Sequence, residues 1–176
     1  MRDVDGLVDE RIGTVSVFDG PAPHIVVAPN EAAEGAAVAE FMTGALSDGI
    51  EAGEIGVFVR SEAQMGRARA AVKAAGLEAF ELSQRGDEAA GRVSIGTMHL
   101  AKGLEFKVVV VMACDQEVLP LQERIETVTD EAELDEVYET ERHLFYVACT
   151  RARDRLMVSG VAPGSEFVQD LNGGLQ

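Results

Sequence analysis

Two short stretches contain the residue types that could hold a phosphorylated ligand. In Thr97-Met98-His99-Leu100-Ala101-Lys102-Gly103-Leu104-Glu105-Phe106, Thr97 offers a hydroxyl and His99 an imidazole. Gly103 permits close backbone approach, and Glu105 offers an acceptor for a hydroxyl group. Lys102 can either reach a phosphate or lie along the surface. The second stretch, Glu141-Arg142-His143-Leu144-Phe145-Tyr146-Val147-Ala148-Cys149-Thr150-Arg151-Ala152-Arg153, ends an apolar helical face on Arg151. Its guanidinium is planar and permanently charged, which suits it to neutralising anionic charge in a way lysine would not match. The ordinary alternatives are a glycine that only lets the chain enter a strand, a structural histidine, and an arginine in a surface ion pair.

The phosphate cradle itself is missing. A P-loop ends in Gly-Lys-Ser/Thr, with backbone amides around the phosphates and a lysine on the β and γ oxygens. The chain's only lysines, Lys73, Lys102 and Lys107, follow Val72, Ala101 and Phe106, so none belongs to such a loop. Val108 to Asp115 imitates the strand-then-acid pattern of a Walker B segment, but without a P-loop a magnesium role for Asp115 is rejected. The chain is therefore not expected to hydrolyse ATP alone.

The elements that must position these residues follow from periodicity and punctuation. The first 23 residues form a lead-in or linker remnant around one β-like run, Thr14-Val15-Ser16-Val17-Phe18. His24 to Pro29 is expected to be a buried strand. Asn30 caps a helix from Glu31 to about Leu46 with Ala33, Ala37, Phe41 and Leu46 on its apolar side. Glu54 to Arg60 is a strand, and Ser61 caps a helix that stops at Gly76. Leu77 to Leu82 and Arg92 to Thr97 are strands joined by a polar loop.

Phe106 to Ala113 is the most apolar run, and continuous burial of that kind belongs to a central parallel strand. Leu134 to Thr150 is a helix with Leu134, Val137, Tyr138, Glu141, Leu144, Phe145 and Ala148 facing inward, and Arg155 to Ser159 closes as a strand. Alternation of this type predicts an α/β sheet covered on both faces. Ligands of such sheets collect outside the carboxyl ends of strands, where Thr97, His99 and Gly103 to Glu105 are expected. Arg142 lies nine residues before Arg151 and half a turn out of phase with it, so it is expected to act as an internal brace.

Composition limits the partners. At 176 residues the chain can bury a real core, and 47% hydrophobic content supports one. The 31 acids against 15 bases give a net charge of -16, the opposite of an autonomous nucleic-acid binder. That charge either keeps the protein dispersed or shapes a face for a basic partner domain. The densest charge run, Glu123 to Arg142, sets nine acids against Arg124 and Arg142, as a solvated face or a docking surface. Cys114 and Cys149 lack metal-ligand spacing and suggest a reducing, cytoplasmic setting. No apolar run is long enough for a membrane span, so no membrane partner is expected.

The two stretches closely resemble motifs V and VI of the UvrD/Rep-like DNA helicases of superfamily one, in the family's order and separation. The resemblance implies a RecA-like three-layer α/β fold of the P-loop NTPase type, with a mostly parallel sheet but no P-loop of its own, over residues 24–176. It implies ATP-site roles for Gly103, Glu105 and Arg151, with Glu105 on the ribose and Arg151 as the arginine finger that meets the γ-phosphate. Thr97 and His99 would contact single-stranded DNA.

ATP and Mg2+ would belong to the complete enzyme, in a site shared with a P-loop-containing first RecA-like domain on the same or another chain. Neither is expected to bind this chain tightly by itself. The family pattern is departed from at Thr140 and His143, where an acid and a base are usual, and the motif IV arginine has no equivalent. Only 32 residues separate Arg60 from Val93, too few for the family's accessory-domain insertion. The competing expectation is a non-catalytic interaction module derived from a helicase half.

Overall fold

A computed structural model describes residues 22–83 and 89–174. The lead-in run Thr14 to Phe18 and residues 84–88 of the polar loop lie outside the described residues. Six strands form one sheet: β1 (His24–Ala28), β2 (Ile55–Val59), β3 (Ala79–Glu81), β4 (Val93–Thr97), β5 (Phe106–Val111) and β6 (Ala152–Val161). Their spatial order is β1-β6-β5-β2-β4-β3, and every pairing is parallel. The helices are α1 (Glu31–Ser47), α2 (Met65–Ala74), α3 (Gln122–Glu126), α4 (Glu131–Cys149) and α5 (Glu166–Gly174).

The valine run sits mid-sheet, as continuous burial demands, and its side chains alternate between two cores. Val108 and Val110 pack with Val38, Met42 and Val72 beneath α1 and α2. Val109 and Val111 pack with Phe58, Phe145 and Phe167 beneath α4 and α5. The result is a three-layer α/β domain of RecA-like type.

Local signals explain most element ends. Asn30 caps α1 by accepting the Ala33 N–H at 2.8 Å, and Asp130 caps α4 by accepting the Glu133 N–H at 2.8 Å. Gly76 stops the chain after α2 in a left-handed conformation, at φ +76.

Three expectations are corrected. β1 is an edge strand rather than a buried one: β6 is its one neighbour, and Val27 is 46% exposed. The buried stripe of α1 runs through Glu34, Val38, Met42 and Ala45, beside the expected Ala33, Ala37, Phe41 and Leu46, which are only partly buried; a buried acid sits on the true stripe. Ser61 makes no side-chain cap, and a short 3-10 turn, Glu62–Gln64, precedes α2 instead.

Candidate nucleotide and strand-binding edges

Strand register separates the candidate residues onto two edges of the sheet. Thr97 ends β4 opposite Val59, the last residue of β2, and so lies at the carboxyl edge. His99 follows in a single 3-10 turn, Met98–Leu100, whose Met98 is buried against the α4 side of the sheet while His99 is exposed.

Gly103 to Glu105 do not lie there, contrary to expectation. Phe106 opens β5, so the residues just before it sit at the amino edge. Because β2 stands between β4 and β5, the link Met98 to Glu105 must run back along the sheet from one edge to the other. The buried Met98 and Ala101 press this link onto the second core.

Arg151 meets Gly103 to Glu105 at the amino edge. Phe106 is in register with Ala152, and the Phe106 N–H donates to the Arg151 carbonyl at 3.0 Å. The Arg151 guanidinium turns back along the end of α4, donating to the Val147 carbonyl at 3.0 Å and the Thr150 hydroxyl at 3.1 Å. It also donates to the Leu104 carbonyl at 3.4 Å. Among the described residues no carboxylate pairs with it, so the surface ion pair considered for Arg151 is not what forms. One helix carbonyl, the Thr150 hydroxyl and one loop carbonyl hold the cation instead, without neutralising it.

Beside it Gly103 has φ +82, and an added Cβ there would meet nothing within 4 Å. The glycine is required by backbone conformation and faces open space. Glu105 is exposed and lies 3.7 Å from Arg153 across a surface ion pair.

The carboxyl edge carries two buried charge networks, of which only the inward-facing Glu141 was expected from sequence. In one, Arg60 grips the fully buried Glu141 through Nε at 2.8 Å and Nη2 at 2.6 Å. Arg124 adds a hydrogen bond at 3.0 Å, and the Leu121 N–H adds one at 2.8 Å. Burial opposes ionisation of Glu141, but the hydrogen bonds from Arg60, Leu121 and Arg124 prevail and hold its carboxyl below the usual range. Partial burial, then the nearby Arg60, lowers the pKa of His99 below its ordinary 6.5.

In the other network Glu34, also fully buried, accepts from Arg67, from the Ala113 N–H at 2.8 Å and from the Ser159 hydroxyl at 2.8 Å. Arg67 also binds Asp115 at 2.8 and 3.1 Å, and the Val161 N–H donates to Asp115 at 2.7 Å. Asp115 is thus committed to an arginine and a backbone amide. The signal for both networks was an acid in phase with a helix's apolar face, at Glu34 with Val38 and at Glu141 with Val137 and Phe145. Sequence alone does not say which arginine answers it.

Arg142 is not internal. It lies half-exposed over the Phe167 ring, 4.9 Å from its centroid and 4.0 Å from Asp170, and so ties α4 to α5 from outside.

Comparison with known proteins gives the family of this parallel three-layer domain. The model of the UvrD-like helicase C-terminal domain matches residues 69–162, and the chain belongs to that family. Over 81 residues it is 42% identical to the ATP-dependent DNA helicase UvrD1 of Mycobacterium leprae, a match covering 46% of this chain and 10% of that protein. Over another 81-residue match it is 37% identical to the ATP-dependent DNA helicase PcrA of Bacillus subtilis, with 45% and 10% covered. The chain thus matches about a tenth of the length of these curated relatives. The crystal structure of the C-terminal domain of a possible DNA helicase from Lactobacillus plantarum WCFS1 superposes with a TM-score of 0.66 at 25% identity, covering 94% of this chain and 93% of that one.

Proposed function

We propose that this chain is the second motor domain of an ATP-dependent DNA helicase, working with a P-loop domain that lies on the same or another chain. In this reading the domain begins near residue 24, and its amino edge faces a shared ATP site. The observation that carries the proposal is the meeting of Arg151 with Gly103 to Glu105. An unneutralised guanidinium lies beside an open glycine turn and an exposed acceptor, although 47 residues separate Arg151 from Leu104.

ATP supplies the phosphoryl group whose transfer drives the motor. Within this chain Glu105 accepts a hydrogen bond from the ribose, and the Gly103 turn leaves room for the nucleotide. Arg151 moves off the Val147 carbonyl and the Thr150 hydroxyl to meet charge that develops on the γ-phosphate. Magnesium would accompany ATP, and no residue of this chain is assigned to it. At the opposite edge Thr97 and His99 face the strand. One continuous segment, Met98 to Glu105, runs between the two edges, a direct route by which closure on nucleotide can alter grip on DNA.

The test needs the P-loop half, as a longer native protein or a separately expressed domain that restores ATPase. Arg151→Ala then lowers turnover by about 10³-fold or more while nucleotide binding weakens far less, because the arginine acts mainly in the transition state. The chain alone shows no ATPase with or without DNA. Turnover by the pure chain, or a kinetically silent Arg151→Ala in an active, folded enzyme, overturns the proposal. An interaction module without catalytic role has no physical need for Gly103, Glu105 and Arg151 together at one edge.

A further inference from the structure

Around Glu141 the charges do not balance. Arg60 and Arg124 both donate to this one carboxylate, leaving one positive charge in surplus. Arg60 already engages both oxygens and is 4% exposed, so it suffices to neutralise the acid. Arg124 is not needed for that purpose, and its side chain is 38% exposed. The surplus charge therefore emerges at Arg124. Among the described residues its guanidinium makes one hydrogen bond, through Nη1, which leaves other donors for a second anion.

The cluster stands beside the expected strand contacts. Arg60 directly follows Val59, which pairs with Thr97, and the Met98–Leu100 turn packs on α4, the helix that carries Glu141. The ionisable groups acting on His99 are Arg60, Glu141 and Arg124, two of them positive. Partial burial and the nearby Arg60 favour the neutral imidazole of His99, which can donate or accept a hydrogen bond without cancelling a phosphate charge. A guanidinium beside it supplies the missing charge and can bind phosphate oxygens in a fork.

We infer that Arg124 is a further contact for a backbone phosphate of single-stranded DNA, held beside His99 by the buried Glu141 carboxylate. The inference rests on the reading of Thr97 and His99 as strand contacts. Glu123 and Glu126, exposed on the same short helix, oppose the phosphate and keep the affinity of the isolated chain low.

The test uses the full chain, isotope-labelled, titrated at low salt with an oligothymidylate of about ten nucleotides, a length within the usual site sizes. Thr97 and His99 amide signals shift on binding. Arg124→Gln, which keeps an N–H for Glu141 but removes the charge, weakens binding about threefold to tenfold and flattens the salt dependence of log Kd by about 0.7. Arg124→Lys restores most of that slope, which a purely structural role would not do. Arg155→Gln removes the same charge at the amino edge, where Arg155 pairs with Asp48 at 2.6 Å, and leaves the slope unchanged.

If the Arg124 and Arg155 variants behave alike while Thr97 and His99 still shift, the inference is overturned and the strand-track reading stands. If Thr97 and His99 do not respond in the unsubstituted chain, that reading fails and the inference falls with it.

Discussion

Glu141 shows how much one side chain can decide. It is wholly buried, yet it carries hydrogen bonds from Arg60, Leu121 and Arg124, joining the end of β2, the loop after β5 and α3 to the middle of α4. Removing it strands Arg60 in a dry interior, so Glu141→Ala is expected to cost about 3–5 kcal/mol of stability, measured by urea unfolding. Its pH dependence has a definite sign. The folded carboxyl titrates below its ordinary 4.5, so the stabilisation is complete above that value and is lost as pH falls through the depressed folded pKa. The stability gap between the native chain and Glu141→Gln is therefore widest near about pH 7 and narrows towards about pH 3. A gap independent of pH would mean that Glu141 is not held as its ion.

Among the elements, β5 and the loop after it impose the tightest fit. The chain leaves β5 through Met112, Ala113 at φ +61 and Cys114, and the Cys114 N–H donates to the Ser159 carbonyl at 2.9 Å. This brings the Cys114 carbonyl against Gly160 of β6, where an added Cβ would sit 2.6 Å from it. Neither partner can retreat easily, since Gly160 is held within β6 and the Cys114 carbonyl also accepts the Ser165 N–H at 2.9 Å. Gly160→Ala is expected to lose about 1–3 kcal/mol by overpacking and to lower the Tm accordingly. An unchanged Tm would show that the loop yields. The helix phase of α4 was legible from Val137, Phe145 and Ala148, and its cap from Asp130 follows from side-chain chemistry. The phase of α1 was not, because Glu34 belongs to its buried stripe and an isolated acid in sequence reads as a surface residue.

At the scale of the whole molecule, a chain with net charge -16 presents its expected ligand contacts at opposite edges of one sheet. Arg151, Gly103 and Glu105 hold the amino edge, while Thr97, His99 and Arg124 hold the carboxyl edge. Among the described residues no helix is long and apolar enough to cross a membrane. Cys114 and Cys149 are both buried in the core under α4 and α5, and burial raises both thiols above their ordinary range. Both thiols are therefore expected to resist a thiol-specific disulfide reagent at neutral pH while the chain is folded and to react on unfolding in denaturant. Rapid modification of the native chain would contradict the packing of this core.

The sequence by itself determined the α/β layering, the central place of the valine strand and the identity of the two motif-like stretches. These depend on local periodicity, turn chemistry and residue type, which a linear chain carries openly. Only the tertiary structure decided which edge each stretch occupies, because the direction of β5 turns Gly103 to Glu105 away from Thr97 even though they are neighbours in sequence. It also decided which arginine answers which buried acid. Arg60 and Glu141 lie 81 residues apart, and the desolvation that makes their pairing obligatory exists only once the sheet and α4 have closed around them.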